Sequence, residues 1–287
     1  MAQAQIGVIG GSGLYQIEGL TEIEEVDIST PFGDPSDAIT IGTLSGQRVA
    51  FLPRHGRGHR LSPSDLPARA NIYALKSLGV QSIISVSAVG SLKEEFQPLD
   101  VVIPDQLLDR TKGIRPSTFF GHGLVVHVAF AEPFCPELSK ALYTAAQGVA
   151  PRVHRGGTLV VMEGPQFSTK AESLFYRQLR ADLIGMTALP EAKLAREAEV
   201  CYATIALVTD YDCWHKAEES VTVELVIQNL LRNVETAKNI VAAALPHLPA
   251  QPTCGCRTAL KDAIITHTDL VPDDTKKRVE LLTKKYI

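Results

Sequence analysis

A basic segment at the end of a short apolar run is the first candidate for chemistry in this chain. Residues 53–60 read PRHGRGHR, so Arg54 and His55 follow the apolar run at once. The planar guanidinium of an arginine matches two oxygens of a phosphate, and the glycines allow the backbone to approach a ligand closely. A solvated basic loop is the alternative. At a strand end in an acidic protein, we favour an anion site.

A glycine-rich turn follows the first apolar run, where residues 6–14 read IGVIGGSGL. The dinucleotide fingerprint fails, because Gln16 stands where its third glycine would be, and no Lys-Ser/Thr pair completes a Walker A loop. A dinucleotide-dependent oxidoreductase is therefore disfavoured. The N–H groups of such a turn and the hydroxyl of Ser12 suit a single phosphate, and a plain turn is an equal alternative.

Two further segments end apolar runs with small residues and hydroxyls. In SVSAVGS (residues 85–91), Ser87 and Ala88 offer a hydroxyl and N–H groups that can reach an oxyanion or cap a helix. In GMT (residues 185–187), Met186 supplies adaptable apolar surface and Thr187 a hydroxyl. A methionine in the core is the alternative for the second segment.

Two other segments carry groups that suit a planar base. EGPQFST (residues 163–169) places Phe167 beside Ser168, a ring for stacking and a hydroxyl for bonding the edge of a base. TDYDCW (residues 209–214) places Asp210 and Asp212 directly after an apolar strand. The alternatives are a buried phenylalanine in a capped loop and a pair of turn-capping carboxylates. Metal ligation by the aspartates lacks a third ligand nearby in the sequence.

The elements that must position these residues follow an alternating order, which predicts an α/β fold around one mixed or parallel sheet. Thr169 and Glu172 have the spacing of a capping box. The region 105–135 reads as a long irregular excursion. The predicted strands are 5–9, 48–53, 82–86, 101–104, 157–162 and 203–209, and the predicted helices are 66–78, 136–147, 169–179, 190–198, 222–245 and 275–285.

The size and composition fit a globular protein with a sizeable core. The chain has 287 residues, 45% of them hydrophobic and 21% charged, and a formal net charge of −4. This charge argues against a general nucleic-acid binder, and the absence of an apolar stretch of 18 residues argues against a membrane span. We expect a cytoplasmic protein of one domain, with an α/β part over residues 1–250 and a C-terminal helical extension over 251–287.

Taken in order, the segments GGSGL, RHGRGH, SAVGSL, AEPFCP, EGPQFST, GMTALPE and TDYDCW resemble the purine nucleoside phosphorylase family. The family has one α/β domain with a central mixed sheet flanked by helices, and it forms trimers or hexamers. TDYDCW separates its adenine-using branch, which acts on 5′-methylthioadenosine, from its 6-oxopurine branch. The resemblance covers roughly residues 5 to 245, about five-sixths of the chain.

The resemblance implies a role for each candidate residue. Met186 would contact the ribose, and Phe167 would pack on the purine with Ser168 nearby. Asp210 and Asp212 would face the adenine edge, with Asp210 stabilising the departing base. Val223 would line the pocket for the 5′ group, and His127 would reach the site of a neighbouring subunit. The phosphate would be held by Ser12, Arg54, His55, Ser87, Ala88 and Thr187.

The implied activity is phosphorolysis of 5′-methylthioadenosine to adenine and 5-methylthioribose 1-phosphate, within methionine and purine salvage. Inorganic phosphate would be a co-substrate, with no other cofactor and no metal. The alternatives are a phosphorylase of 6-oxopurine nucleosides, a hydrolase of the same substrate, and a non-catalytic nucleoside or phosphate sensor. The partners expected are small molecules and further copies of this chain, with no nucleic acid and no membrane.

The cysteines leave one question open. The chain has five, an odd number and too few for a disulfide framework at this length. Cys254 and Cys256 form a CxC pair, which resembles a local disulfide of some thermostable family members. A metal pair is a second possibility, although two further ligands are not evident from the sequence. Two free thiols in a cytoplasmic loop are the third.

Overall fold

The computed structural model describes residues 3–11, 13–14, 16–215, 223–249 and 252–287. Within these residues the chain forms one domain, in which helices flank a mixed eleven-stranded sheet. The strands are β1 (Ile6–Gly10), β2 (Thr21–Val26), β3 (Ile39–Leu44), β4 (Gln47–Pro53), β5 (Ser82–Ser91), β6 (Val101–Ile103), β7 (Gln106–Arg110), β8 (Val153–Arg155), β9 (Thr158–Met162), β10 (Leu183–Gly185) and β11 (Cys201–Asp210). The helices are α1 (Ala68–Ser77), α2 (Pro136–Gln147), α3 (Lys170–Gln178), α4 (Ala188–Glu197), α5 (Val223–Ala244) and α6 (Asp273–Thr283).

Four parallel strands make the centre of the sheet, in the order β4, β1, β5, β11. Every residue of β1 and of β11 is buried, as expected for strands covered on both faces. The last residues of β5 pair with the antiparallel strand β10, while β11 continues along the other edge. The carboxyl ends of these strands therefore open onto one region, where ligands of α/β sheets bind.

The predictions of fold class and of the main elements are confirmed. All six predicted strands and all six predicted helices are present, with ends that differ by at most two residues, except that β5 runs five residues beyond its predicted end, to Ser91. Thr169 caps α3 in a capping box, since its side chain accepts from the Glu172 N–H and the Glu172 carboxylate accepts from the Thr169 N–H. The residue Thr222, at the predicted start of α5, lies outside the described residues.

The remaining five strands were not predicted. Strand β3 (ITIGTL) is buried and was missed although it is rich in isoleucine, whereas the other four are exposed, short or mixed in character. Strand β2 reads TEIEEV and is almost wholly exposed, so it carries no core-facing alternation. Strands β8 and β10 have only three residues each. Strand β7 opens the 105–135 excursion that was expected to be irregular, and the rest of that excursion holds turns and isolated bridges only.

A buried glutamate of α4 secures the 105–135 excursion to the domain. Glu197 accepts hydrogen bonds from the Phe119 N–H at 2.8 Å and from the Thr118 hydroxyl at 2.7 Å. Burial raises the pKa of the Glu197 carboxyl to about 7, and these two hydrogen bonds oppose the shift only in part. No cation is among the hydrogen-bond and ion-pair partners described for this carboxyl.

The C-terminal segment 252–287 packs onto the same core. Leu260, Val271, Val279 and Leu282 share a buried cluster with Leu75 of α1. The segment also pairs with the excursion, since the Ile265 N–H donates to the Val125 carbonyl at 2.9 Å. Across the described residues, no helix combines the length and the apolar character needed to cross a bilayer.

Candidate functional site

A cavity of about 330 Å³ opens at the carboxyl ends of the central strands. Elements far apart in sequence contribute to it, from the turn after β1 to α5. Its walls are mostly apolar, with a small number of charged and hydroxyl groups, as in sites for small molecules. Among the residues that line it are Gly11, Arg54, His55, His59, Ser87, Ala88, Gly90, Met162, Phe167, Met186, Thr187, Asp210 and Asp212.

The guanidinium of Arg54 is buried at one end of the cavity. It forms an ion pair with Glu191 of α4, through Nε to Oε1 at 2.6 Å and Nη2 to Oε2 at 3.2 Å. It also donates to the carbonyl oxygen of Val86 at 2.8 Å and to the Ser85 hydroxyl at 2.7 Å. Although burial alone would lower the pKa of Arg54, the Glu191 carboxylate raises it, so the cation is fixed in place.

His55 presents a neutral imidazole beside this cation. Its Nδ1 lies 2.8 Å from the Leu61 carbonyl oxygen, which can only accept, so Nδ1 carries the proton and Nε2 holds a lone pair. Burial and the neighbouring Arg54 charge lower the pKa of His55 to about 4. The ring stacks on His59, with 4.2 Å between the ring centroids. A neutral Nε2 can accept a hydrogen bond from a protonated phosphate oxygen.

Two hydroxyls complete this end of the cavity. Ser87 of β5 and Thr187, which precedes α4, lie with their hydroxyl oxygens 3.0 Å apart. Ala88, next to Ser87, also lines the cavity, and so does Gly11 of the glycine-rich turn. The structure thus brings together every predicted phosphate-binding residue except Ser12, which lies outside the described residues. The group is a buried cation with convergent donors, an arrangement that suits an oxyanion.

Two buried carboxylates mark the other end. Asp210 accepts from the Thr209 hydroxyl at 2.7 Å and from the Asp212 N–H at 2.8 Å. Burial raises the pKa of both Asp210 and Asp212. The Oδ2 atom of Asp212 is buried and has no hydrogen-bond partner among the described residues. The Ser173 hydroxyl lies near enough to this carboxyl to lower its pKa but makes no hydrogen bond to Oδ2, so this oxygen can accept a donor from a ligand.

The two ends lie along a single strand. Val86 contacts Arg54, whereas Gly90 lies against the aspartates, and four residues of strand span about 13 Å. A Cβ at position 90 would stand 3.1 Å from Asp210 Oδ1 and 3.0 Å from an Ile184 methyl. Glycine at this point therefore lets the carboxylates approach β5 closely, since a side chain would be in tight contact with both atoms.

Met186 and Phe167 line the wall between the two ends. Gly164 has a positive φ of 68°, and a Cβ there would stand 2.6 Å from the Met186 sulfur, so the backbone of residue 164 fits closely under this side chain. Phe167 is 48% exposed, so its ring is open to a ligand face. Ser168 is adjacent to the cavity but does not line it, and its hydroxyl contacts the Met162 sulfur at 3.4 Å.

Arg115 holds the loop that begins at Glu163 and the segment from Met186 to Leu189 in place. This residue was not identified from the sequence. Its buried guanidinium pairs with Glu163 at 2.8 Å and donates to the carbonyl oxygens of Met186 at 2.6 Å and Leu189 at 2.9 Å. Glu191 lies within the predicted helix 190–198, and nothing in the sequence marks it as the partner of Arg54. Neither contact has a local signal, because 48 and 137 residues separate the partners in the two ion pairs.

The two predicted residues that remain are Val223 and His127. Val223 is the first residue of α5, and its side chain lies outside what the structure describes. His127 is exposed on the excursion, where its N–H donates to the Ala263 carbonyl at 2.9 Å. It is not among the residues that line the cavity of its own chain.

The fold and the cavity define a class of enzyme, and comparison with known proteins agrees. A family model described as the phosphorylase superfamily matches residues 5–246. The chain belongs to this superfamily.

Close relatives of the chain share a single enzyme name within this superfamily. The S-methyl-5′-thioadenosine phosphorylase of Chloroflexus aurantiacus is 60% identical over 286 residues, covering 100% of this chain and 99% of the relative. That of Gloeobacter violaceus is 59% identical over 289 residues, covering 99% and 96%.

Solved structures give the same result. A methylthioadenosine phosphorylase from an antarctic soil metagenomic library has a TM-score of 0.94 and 53% identity, covering 98% of this chain and 99% of that one. A methylthioadenosine phosphorylase from Schistosoma mansoni in complex with adenine has a TM-score of 0.82 and 36% identity, covering 93% and 100%. The resemblance read from the sequence motifs is confirmed at the level of the family.

The Arg54–Glu191 pair yields a prediction on stability. Glu191→Gln removes the charge that balances a buried guanidinium, so we expect a loss of about 3–5 kcal/mol in the free energy of unfolding. Urea unfolding at pH 8 and fixed protein concentration measures it, since assembly also contributes to apparent stability.

Glu197→Gln on the same helix is the matched control. Its folded-state pKa of about 7 exceeds the ordinary value of 4.5, so the wild type loses stability as the pH rises between these values. Removing this charge therefore leaves stability at pH 8 unchanged or higher. Equal losses in the two variants, or a loss below about 1 kcal/mol for Glu191→Gln, would contradict the role given to the pair.

Proposed function

We propose that this enzyme cleaves 5′-methylthioadenosine with inorganic phosphate, giving adenine and 5-methylthioribose 1-phosphate. The observation that carries the proposal is a single cavity with a buried guanidinium and two hydroxyls at one end and two buried carboxylates at the other. The names of the three relatives that are 53% to 60% identical to this chain support the same substrate.

Phosphate supplies the nucleophile. An oxygen of phosphate attacks C1′ of the ribose as the bond between C1′ and N9 of the adenine breaks, and the bonding electrons leave with the base. Positive charge develops on the sugar, and the bound phosphate dianion stabilises it from below. Arg54, Ser87, Ala88 and Thr187 hold the phosphate, and the neutral Nε2 of His55 accepts a hydrogen bond from its protonated oxygen. Positioning and electrostatics accomplish this without a covalent enzyme intermediate or a further cofactor.

Asp210 assists the leaving base. Burial raises the pKa of its carboxyl, so Asp210 takes up a proton more readily than an exposed aspartate. In the protonated form it can donate to N7 of the purine and neutralise the negative charge that grows there. The unpartnered Asp212 Oδ2 can accept from the 6-amino group of adenine. A 6-oxo group would instead place an acceptor against this oxygen. The remaining contacts follow the sequence motifs, with Phe167 and Ser168 near the purine, Met186 on the ribose, and Val223 near the 5′ thioether.

We also propose that Ser12 completes the phosphate site, since its neighbour Gly11 lines the cavity. The working location proposed is the cytoplasm, because none of the five cysteines is in a disulfide and a reducing compartment preserves this state. Fractionation of the source cells, with a cytoplasmic marker enzyme as reference, would test this location.

The substrate proposal predicts a specific pattern of activity. Adenine release from 5′-methylthioadenosine should require phosphate, and phosphorolysis of 5′-methylthioinosine, which differs only at purine position 6, should be slower by a factor on the order of 10⁴ in kcat/KM. Asp210→Asn should lower kcat/KM for the adenine substrate by about 10²-fold or more. A spectrophotometric assay of base release measures both.

Asp269→Asn is the control, because this aspartate is exposed and remote from the cavity, and its activity should equal that of the wild type. Adenine release that ignores phosphate would mean a hydrolase. Equal rates with the two nucleosides would mean that the aspartates do not select the base. Stoichiometric binding without turnover would mean a sensor.

We propose further that the chain assembles as a homotrimer, or as a dimer of trimers, in which His127 reaches the neighbour's cavity at the 5′ end. The exposure of His127 and its position outside the cavity of its own chain support this arrangement. His127→Ala should then raise the KM for 5′-methylthioadenosine at least several-fold while leaving the KM for phosphate unchanged.

Subunit mixing tests the arrangement directly. In mixed trimers of His127→Ala and Asp210→Asn chains, a site can take Asp210 from one subunit and His127 from its neighbour. About a quarter of the sites in a random one-to-one mixture then contain both residues, and activity at low substrate concentration should return to that extent. If His127 acted within its own subunit, every site would keep one defect and mixing would restore nothing.

A further inference from the structure

Four of the five cysteines converge at one point, remote in sequence from one another. The sulfur atoms of Cys135, Cys201, Cys254 and Cys256 all lie within 4.8 Å of each other. Cys254 lies 3.3 Å from the Cys201 sulfur and 3.5 Å from the Cys135 sulfur. Three of the four residues are buried. The two further ligands that the CxC pair lacked in the sequence are thus Cys135 and Cys201.

The four cysteines come from three separate parts of the fold. Cys135 immediately precedes α2, and Cys201 is the first residue of β11. Cys254 and Cys256 flank Gly255 in the C-terminal segment, at a short 3₁₀ turn. The cluster therefore joins the C-terminal segment to the central sheet and to a flanking helix.

The spacing of the sulfur atoms fits one tetrahedral metal ion better than two disulfides. A zinc–thiolate bond of about 2.3 Å places the sulfur atoms of a tetrahedral site about 3.8 Å apart. A disulfide bond of about 2.05 Å would need displacements of more than about 1 Å. The Cys254 sulfur is also at nearly the same distance from the Cys201 and Cys135 sulfurs, so its position does not favour a disulfide with either one.

The surroundings fit a thiolate site as well. The guanidinium of Arg196 lies near enough to Cys256 to act on it electrostatically, which offsets part of the negative charge of four thiolates on a divalent ion. Closed sets of four cysteine ligands are typical of structural zinc, since a catalytic zinc keeps one position open for water. Four sulfur ligands in a tetrahedral arrangement are typical of zinc or iron.

We propose that Cys135, Cys201, Cys254 and Cys256 bind a structural Zn²⁺ that fastens the C-terminal segment to α2 and β11. The ion has no part in the chemistry of the cavity. Cys201 and Asp210 stand at opposite ends of β11, and the nine steps between them span about 30 Å.

The position of the cluster gives the ion a consequence for the rest of the molecule. The C-terminal segment supports the stretch that carries His127, through the Ala263 and Thr266 contacts to His127 and Val125 and the Thr275 hydroxyl bond to the His122 carbonyl. Loss of the ion should therefore loosen both the C-terminal segment and this stretch.

Metal content and thiol count together test the proposal on the wild-type protein. An untagged chain, purified without chelator or a metal-affinity column, should contain about one zinc per chain by inductively coupled plasma mass spectrometry. Denaturation in guanidinium with EDTA, and without reductant, should then expose all five thiols to Ellman's reagent. Five thiols without metal, one thiol without metal, or iron in place of zinc would each overturn the assignment. A count of one thiol would mean that the four clustered cysteines form two disulfides and that only Cys213 is free.

A pair of variants adds a structural readout. Cys254→Ser with Cys256→Ser should reduce zinc to less than a tenth of the wild-type content and lower the Tm by several degrees. Cys213→Ser, which alters the one cysteine outside the cluster, should retain the full zinc content. Cobalt in place of zinc should give the intense red-region bands of tetrahedral thiolate coordination. Zinc retained by the double variant, or a six-coordinate cobalt spectrum, would contradict the four-cysteine site.

Discussion

The buried ion pair between Arg54 and Glu191 is the interaction on which the site depends. One guanidinium reaches the carboxylate of α4 and the carbonyl oxygens of Ile9 on β1 and Val86 on β5, while its own residue follows β4. Because a buried cation without a carboxylate is costly, the pair favours the arrangement in which these three parallel strands and the helix meet around one guanidinium. The same helix begins after Thr187, so the pair also positions a hydroxyl of the phosphate end.

The cavity then follows from burial acting in opposite senses at its two ends. At one end Glu191 keeps Arg54 charged, and burial keeps His55 neutral with a lone pair on Nε2. At the other end burial raises the pKa of Asp210 and Asp212, so each carboxylate binds a proton or a hydrogen-bond donor more readily than it would in water. An anionic nucleophile and a departing base that gains negative charge thus find complementary groups about 13 Å apart along β5.

The sequence could predict the central strands, the helices and most of the cavity, because these depend on local signals. Apolar runs that end in RHG, SAVG or TDYD mark the carboxyl ends of buried strands, and those ends meet at one edge of the sheet. It could not predict Glu191 or Arg115 as partners, nor the four-cysteine cluster, because these contacts join residues that are far apart in the chain. Strand β2 was not predicted because its exposed, charged residues show no alternation of apolar and polar positions.

The central claim is that phosphate itself, held at the Arg54 end, attacks the sugar of a 6-amino nucleoside. Turnover of 5′-methylthioadenosine with phosphate labelled on every oxygen with ¹⁸O, followed by mass spectrometry of the sugar product, tests this claim most directly. Attack by phosphate predicts 5-methylthioribose 1-phosphate that retains all the labelled oxygens, formed in equal amount to adenine. Unlabelled 5-methylthioribose as the product would contradict the account, because water would then be the nucleophile.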